Sequence, residues 1–294
     1  MQDYLVRNAA TVYAGGFYGA LIIVALWEAL APRRRLSGTL WVRWAGNGGV
    51  LILNLFILRV LIPLTGIALA MVMETKGWGL FNLVTLPAWL SAACSLLILD
   101  LVNYLKHILM HRIPLLWRCH RMHHTDCDFD FTTGVRFHPL EAVLSFTVTL
   151  GTIAIIGVPV VAVVLYEVIT ATLTFLQHGN VRYPEVLDRF LRRLVVTADM
   201  HRIHHSTRLT ETESNFGVIL PWWDRVFGTY LAEPAAGHEG MGIGLLEFQH
   251  PKHQTLPWML GAPFLEKNAQ PMPQNPGRCF EYSDKAAQSA GERR

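Results

Sequence analysis

Three histidine groups stand close together in the chain: His107-x-x-x-His111, His120-x-x-His123-His124 and His201-x-x-His204-His205. With His138 and His178, they place ten of the thirteen histidines between residues 101 and 205, so the middle third of the chain needs imidazole. Imidazole serves as a general acid or base and as a common neutral metal ligand, and the spacing here favours metal. Residues i and i+4 of a helix share a face, with Cβ atoms about 5–6 Å apart, so His107 and His111 can reach one metal region. In each HxxHH run, positions i, i+3 and i+4 project together, while the adjacent pair diverges by about 100°. A tandem pair of that kind can serve two neighbouring metals. A lone HxxxH is weak, because two helical histidines are more often surface or core residues. One HxxxH followed by two copies of HxxHH is a metal constellation.

Imidazole suits Fe, Zn, Cu and Ni. Eight to ten histidines exceed the needs of one ion, since a catalytic zinc usually takes three protein ligands and a water. Two metals are therefore expected. His138, in RFHPLE, and His178, in QHGN, flank a long apolar stretch and are read as further ligands; a neutral hydrogen-bonding histidine is the alternative for each. Nitrogen-only coordination leaves the metals' charge uncompensated, and carboxylates accepting from the rings' other N–H would orient the ligands and offset it. Asp100, Asp199 and Asp224 are the candidates by position, against the alternative of a helix cap or surface ion pair. His238, His250 and His253 read as surface residues.

The elements that carry these residues belong to a membrane protein. Of the 294 residues 52% are hydrophobic and only 16% charged, whereas a soluble domain carries about 25% charged residues. Disorder and an ordinary cytosolic fold are both excluded on that ground. A net charge of +3 gives no general case for nucleic acid. Cys94, Cys119, Cys127 and Cys279 are too few and too scattered for a disulfide framework, and Cys119 and Cys127, which flank the second histidine group, read as reduced thiols. Residues 8–27 are uncharged over enough length to cross a hydrocarbon core of about 30 Å. The start, MQDYLVR, lacks the cationic stretch of a cleaved signal, so this helix reads as a retained anchor. A second apolar segment covers 44–73, with Arg59 snorkelling or packed on protein, and a third covers 84–106. The fourth, 142–178, breaks at Gly157 and Pro159 and must go in and come back if the histidines on either side are to meet.

The expected fold is all-α: an integral membrane bundle of about three membrane helices plus a helical hairpin, under a histidine-rich cap formed by 107–141 and 179–231. Residues 1–231 form one catalytic domain on this reading. Residues 232–294 are a C-terminal extension, largely flexible after about 266. Pro184 to Thr197 has the apolar and arginine pattern of a helix lying in the interface. Arg33–Arg35, Arg43, Arg112, Arg118, Arg121, Arg182, Arg192 and Arg193 crowd the histidine face, whereas Arg7 and Lys76 fall on the other, so the histidines are expected to face the cytoplasm.

The run His107–His111, then LWRCHRMHHTDCDFDFTTGVRFHPLE, QHGN, TADMHRIHHS, SNFG and WWDRVFGTY resembles the fatty acid hydroxylase / sterol desaturase superfamily over about residues 95 to 231. In that family clustered histidines bind a di-iron centre that activates O2 against an unactivated C–H bond of a lipid. The resemblance implies this ligand role for His107, His111, His120, His123, His124, His178, His201, His204 and His205, with His138 beside them. The glycine of QHGN stands where the family often has serine. Hydroxylation and desaturation both fit, on a sterol, fatty acyl chain, sphingolipid or related lipid. The reaction needs two electrons and the chain shows no haem, flavin or iron–sulfur motif, so a separate donor of cytochrome b5 or ferredoxin type is expected.

Two other classes use similar residues. A zinc-dependent membrane lipid hydrolase would need an open metal position and a general base, for which Asp100 or Asp224 could serve; the histidines are too many for it. A metal transporter would place its ligands near mid-bilayer, whereas these clusters sit at helix ends. The ligand assignment makes a direct prediction: His123→Ala or His204→Ala lowers bound metal and abolishes O2-dependent lipid oxidation, with expression checked because metal binding and folding are linked. Wild-type turnover in both variants would contradict it.

Overall fold

The computed structural model describes residues 2–36 and 40–265. Among the described residues the chain is helical and has no β-strand, only two isolated bridges. Five helical stretches are long and apolar enough to cross a membrane. They are α1 (Ala9–Leu30), a broken stretch Leu40–Leu83 that holds α2 (Leu40–Leu61) and α3 (Gly66–Lys76), then α4 (Ala88–Arg112), α6 (Pro139–Ile156) and α7 (Val160–His178). Two short helices carry the remaining histidines: α5 (Pro114–His124) and α8 (Ala198–His204). The expected tail beyond about 266, with Cys279, lies outside the described residues.

Local chemistry sets the boundaries. The apolar segment read as 44–73 is two helices, because Pro63 interrupts the chain and Thr65 caps α3 by accepting from the Ala68 N–H at 3.1 Å. The segment read as 84–106 starts after Pro87 and runs on to Arg112, so His107 and His111 lie on the membrane helix itself. Pro114 then opens α5 at its first turn. The hairpin turns at Gly157, whose φ of 69° is left-handed. Its backbone meets Gly79 so closely that a Cβ on Gly79 would stand 2.4 Å from the Gly157 Cα. Two glycines are needed there for the turn to seat.

Within the bundle, α1 packs along α7, where Val24 and Phe175 are buried together with Ala198 of α8. The other end of the hairpin packs Ile153, Val158 and Val163 against Ala70 of α3 and Leu99 of α4. Residues 184–197 form only a seven-residue helix, Glu185–Leu191, which turns Val186 and Phe190 outward. Cys94, Cys119 and Cys127 are free thiols. His238 and His253, expected at the surface, are buried, His253 against Trp258 and His238 beside Asp199 and Glu233. Residues after 231 therefore supply packing for the cap: Arg121 donates to the Ala262 and Leu265 carbonyls at 2.6 and 2.7 Å.

The cap is fastened to the membrane helices by a buried ionic and amide network. Arg43 of α2 is 1% exposed and holds Asp126 at 2.6 and 3.0 Å and Asp130 at 2.8 Å. Asn47, one turn further, donates to Asp126 and Thr132, and its carbonyl accepts from Arg136. Arg136 also donates to the Met122 carbonyl and the Thr125 hydroxyl, closing the network on the C-terminal end of α5. Burial alone would raise the Asp126 carboxyl, but Arg43 and Arg136 beside it hold it down at about 2. Glu28 of α1 ties in the other side, accepting from the Phe131 and Asn180 N–H groups at 2.8 and 2.7 Å. Arg43→Met leaves two carboxylates buried without their cation. A loss of about 3–5 kcal/mol of stability is expected, read as a fall in melting temperature and in expression of the full chain, whereas Arg59→Met at the exposed end of α2 leaves both unchanged.

Candidate metal centre

Nine histidines from four helices converge in two adjoining groups. His107, His111, His120, His124 and His204 form one, and His123, His178, His201 and His205 the other; within each group the candidate ligand nitrogens all lie within 4.8 Å of one another. All nine rings are buried. Each HxxHH motif is split between the groups. His120 and His124, an i, i+4 pair on α5, enter the first group while His123 turns to the second. His201 and His205 enter the second while His204 crosses to the first. Rings of the two groups touch, with the His124–His205 centroids 4.5 Å apart and the His201–His204 centroids 5.3 Å apart.

Hydrogen bonds at the backs of the rings fix which nitrogen faces inward. His107 Nδ1 donates to the Phe216 carbonyl at 2.9 Å and His120 Nδ1 to the Glu141 carboxylate at 2.7 Å. His204 Nδ1 donates to the Ser214 carbonyl at 2.8 Å, His178 Nδ1 to the Thr174 carbonyl at 2.8 Å, and His111 Nδ1 to Glu213 at 3.3 Å. A neutral imidazole has one N–H, so a ring that donates from Nδ1 presents a lone pair at Nε2. His107 Nε2 and His120 Nε2 then face each other as two acceptors at 3.2 Å. Such a contact is repulsive unless a cation stands between the two nitrogens. His111 Nε2 and His204 Nε2 are likewise buried with no protein partner.

Ligand nitrogens at about 2.1 Å from one ion stand about 3.0 Å apart at right angles and about 3.4 Å apart at the tetrahedral angle. The observed Nε2–Nε2 separations match: 3.2 Å for His120–His124 and His123–His178, 3.0 Å for His178–His201, and 3.3 Å for His201–His205. The rings in the cap are also in the right charge state. Burial, with neighbouring imidazoles adding to it, pushes His123, His124, His201 and His205 well below the usual histidine range, and burial takes His204 to about 3. They are neutral at physiological pH, as metal ligands must be. The donor set fits two ions, one per group.

The other candidates lie elsewhere. His138 is not among the converging rings: its Nδ1 caps α6 by accepting from the Leu140 N–H at 3.2 Å, and its Nε2 donates to the Leu260 carbonyl at 3.2 Å. No ring nitrogen is left over for a metal. Asp100 accepts from the Ile219 and Leu220 N–H groups and from Trp223 Nε1 at 2.8–3.1 Å. Asp224 accepts from the Phe216 and Gly217 N–H groups and from Thr229. These two fold the SNFG and WWDRVFGTY segments so that the Phe216 and Ser214 carbonyls meet His107 and His204. Asp199 pairs with Arg202, and with Arg33 at 3.4 Å. None of the three touches a histidine of the two groups; Asp199 does stand near His238.

The carboxylates that do touch those rings are Glu141 and Glu213, which sequence reasoning missed. Glu141 lies in the first turn of α6, where an acid is already accounted for by the helix dipole. Its approach to His120 depends on how α5 and α6 pack.

Residues 92–229 match the protein-family model described as fatty acid hydroxylase. The chain is 30% identical over 159 residues to the ornithine lipid hydroxylase OlsE of Rhizobium tropici, covering 53% of this chain and 46% of that one. It is 27% identical over 164 residues to the alkylglycerol monooxygenase of Homo sapiens, covering 53% and 34% of the two chains. It is also 27% identical over 148 residues to a cholesterol 25-hydroxylase-like protein of Danio rerio, covering 48% and 55%. The matched regions thus span about a third to a half of these relatives' lengths. No solved structure matches.

The contrast between Glu141 and Asp100 is testable. Glu141→Ala removes the carboxylate behind a candidate ligand and is expected to weaken metal affinity about 10–100-fold, measured by chelator competition. Asp100→Asn is expected to lower the melting temperature while leaving metal affinity of the folded protein within about twofold. Equal metal affinities in wild type and Glu141→Ala would contradict the role given to Glu141.

Proposed function

The histidine-bearing half places this chain in the fatty acid hydroxylase / sterol desaturase superfamily, and from that footing we propose that the protein is an O2-dependent di-iron oxidoreductase of the membrane that hydroxylates a C–H position of a lipid. The observation that carries the proposal is the convergence of nine buried imidazoles, among which the inward nitrogens of His107 and His120 face each other as acceptors. Iron bound there would supply the activation of O2 and the removal of hydrogen from carbon. Overall, C–H, O2, two electrons and two protons give C–OH and water. Hydroxylation is favoured over desaturation because the relatives' names are hydroxylase and monooxygenase. A zinc hydrolase has no support among those relatives, and Asp100 and Asp224 are both held by backbone N–H groups rather than placed as a base.

A cavity of about 650 Å³ lies among the membrane helices against the backs of these rings, within the range of about 300–1,000 Å³ usual for ligand pockets. Its lining includes Glu141, Thr174 and Phe137, and these touch His120, His178 and His123 respectively. Leu51, Leu55, Leu58 and Phe146 give it an apolar body suited to a hydrocarbon chain, which would arrive from the bilayer between helices. Phe137 stacks on His123 at 4.6 Å and 16°, covering one face of that ring. Electrons would come from a separate donor of cytochrome b5 or ferredoxin type. The arginine-rich side that carries the histidines would face the cytoplasm, by the positive-inside bias.

Purified, iron-loaded protein given a chemical reductant, a lipid extract and heavy-isotope O2 is expected to yield a lipid that has gained one labelled oxygen atom. Lipid cleavage independent of O2, with zinc as the active metal, would overturn the reading.

A further inference from the structure

The cavity contains one cation among its described lining residues, Lys106, one position before His107 on α4. An ammonium carries three donors. Lys106 Nζ gives one to Asn103 Oδ1 at 2.5 Å, and Asn103 Nδ2 in turn donates to the Tyr166 hydroxyl at 2.5 Å. Those two partners also line the cavity, so α4 and α7 together build a polar rail along an otherwise apolar wall. Two donors of Lys106 remain for a ligand. A membrane segment does not carry an ammonium at that position cheaply, and ionisable groups inside membrane bundles mark substrate paths.

The charge around Lys106 selects the kind of ligand. Glu141 lines the same cavity and already accepts from His120, so the ammonium shares this space with an acidic side chain. A carboxylate or phosphate placed beside Lys106 would meet Glu141 in low-dielectric surroundings, and like charges there repel strongly. A neutral acceptor fills the remaining donors without that cost. We propose that Lys106 receives the carbonyl oxygen of an acylated lipid, an ester or an amide, which puts the linkage at the metal end of the cavity and the tail along Leu51, Leu55 and Phe146. The C–H bond oxidised then lies within a few carbons of the linkage, not deep in the chain. This rests on the oxygenase reading for the reaction but not for the binding.

The test uses the full, metal-loaded chain in detergent without reductant, and measures displacement of a fluorescent lipid probe by methyl palmitate, palmitate and hexadecane. Methyl palmitate is expected to bind about tenfold or more tighter than hexadecane, the ratio a hydrogen bond to a charged group gives, and tighter than palmitate. Lys106→Met removes the preference and leaves hexadecane binding unchanged, whereas Lys106→Arg keeps it. Palmitate binding tightest, or the three probes binding alike, overturns the proposal on the wild-type protein alone, whatever the folding of the variants. Ester preference without O2-dependent oxidation would instead sink the oxygenase reading and leave the carbonyl site standing.

Discussion

Lone pairs brought face to face are the constraint that the rest of this protein answers to. Nine imidazoles are buried together, five of them with Nδ1 donating outward and an unprotonated nitrogen turned inward, so they would push apart, and each has lost its hydration on leaving water. Positive charge between them turns that repulsion into coordination, and metal binding then becomes part of the folding free energy. The cost of assembling the cluster and the reason for it are the same interaction. This is why so much of the cap consists of groups that hold rings from behind: three backbone carbonyls and two carboxylates do so.

Those carbonyls need positions of their own, and buried acids provide them. Asp224 gathers the Phe216 and Gly217 N–H groups, and Asp100 gathers the two after Val218, so the segment after α8 presents Ser214 and Phe216 to the histidines. The Arg43 network performs the same service for α5 from the membrane side. The metal centre is thus fixed at two removes, with charged side chains organising backbone and backbone organising imidazole.

Periodic features were legible in the sequence and convergent ones were not. Apolar length showed five crossing segments, and Gly157 with Pro159 showed where the hairpin turns. The i, i+3, i+4 spacing allowed two metals to be inferred, because the adjacent histidine of each HxxHH run must point away from its neighbour. His138 misled, since a histidine before proline at the start of a helix has the same appearance whether it binds metal or caps α6. The acids misled for a related reason. Asp100 and Asp224 stand near the histidines in sequence and serve backbone amides, whereas Glu141 and Glu213 acquire their partners only through packing. Burial of His238 and His253 under residues 232–265 carries no local signature at all.

X-ray absorption at the iron edge of the reconstituted full chain probes the convergence itself. Two iron ions per chain, each in a shell of nitrogen and oxygen without sulfur and each with the other iron as a resolved scatterer, is the result this account predicts. A single ion per chain, or two with no metal neighbour, would contradict it.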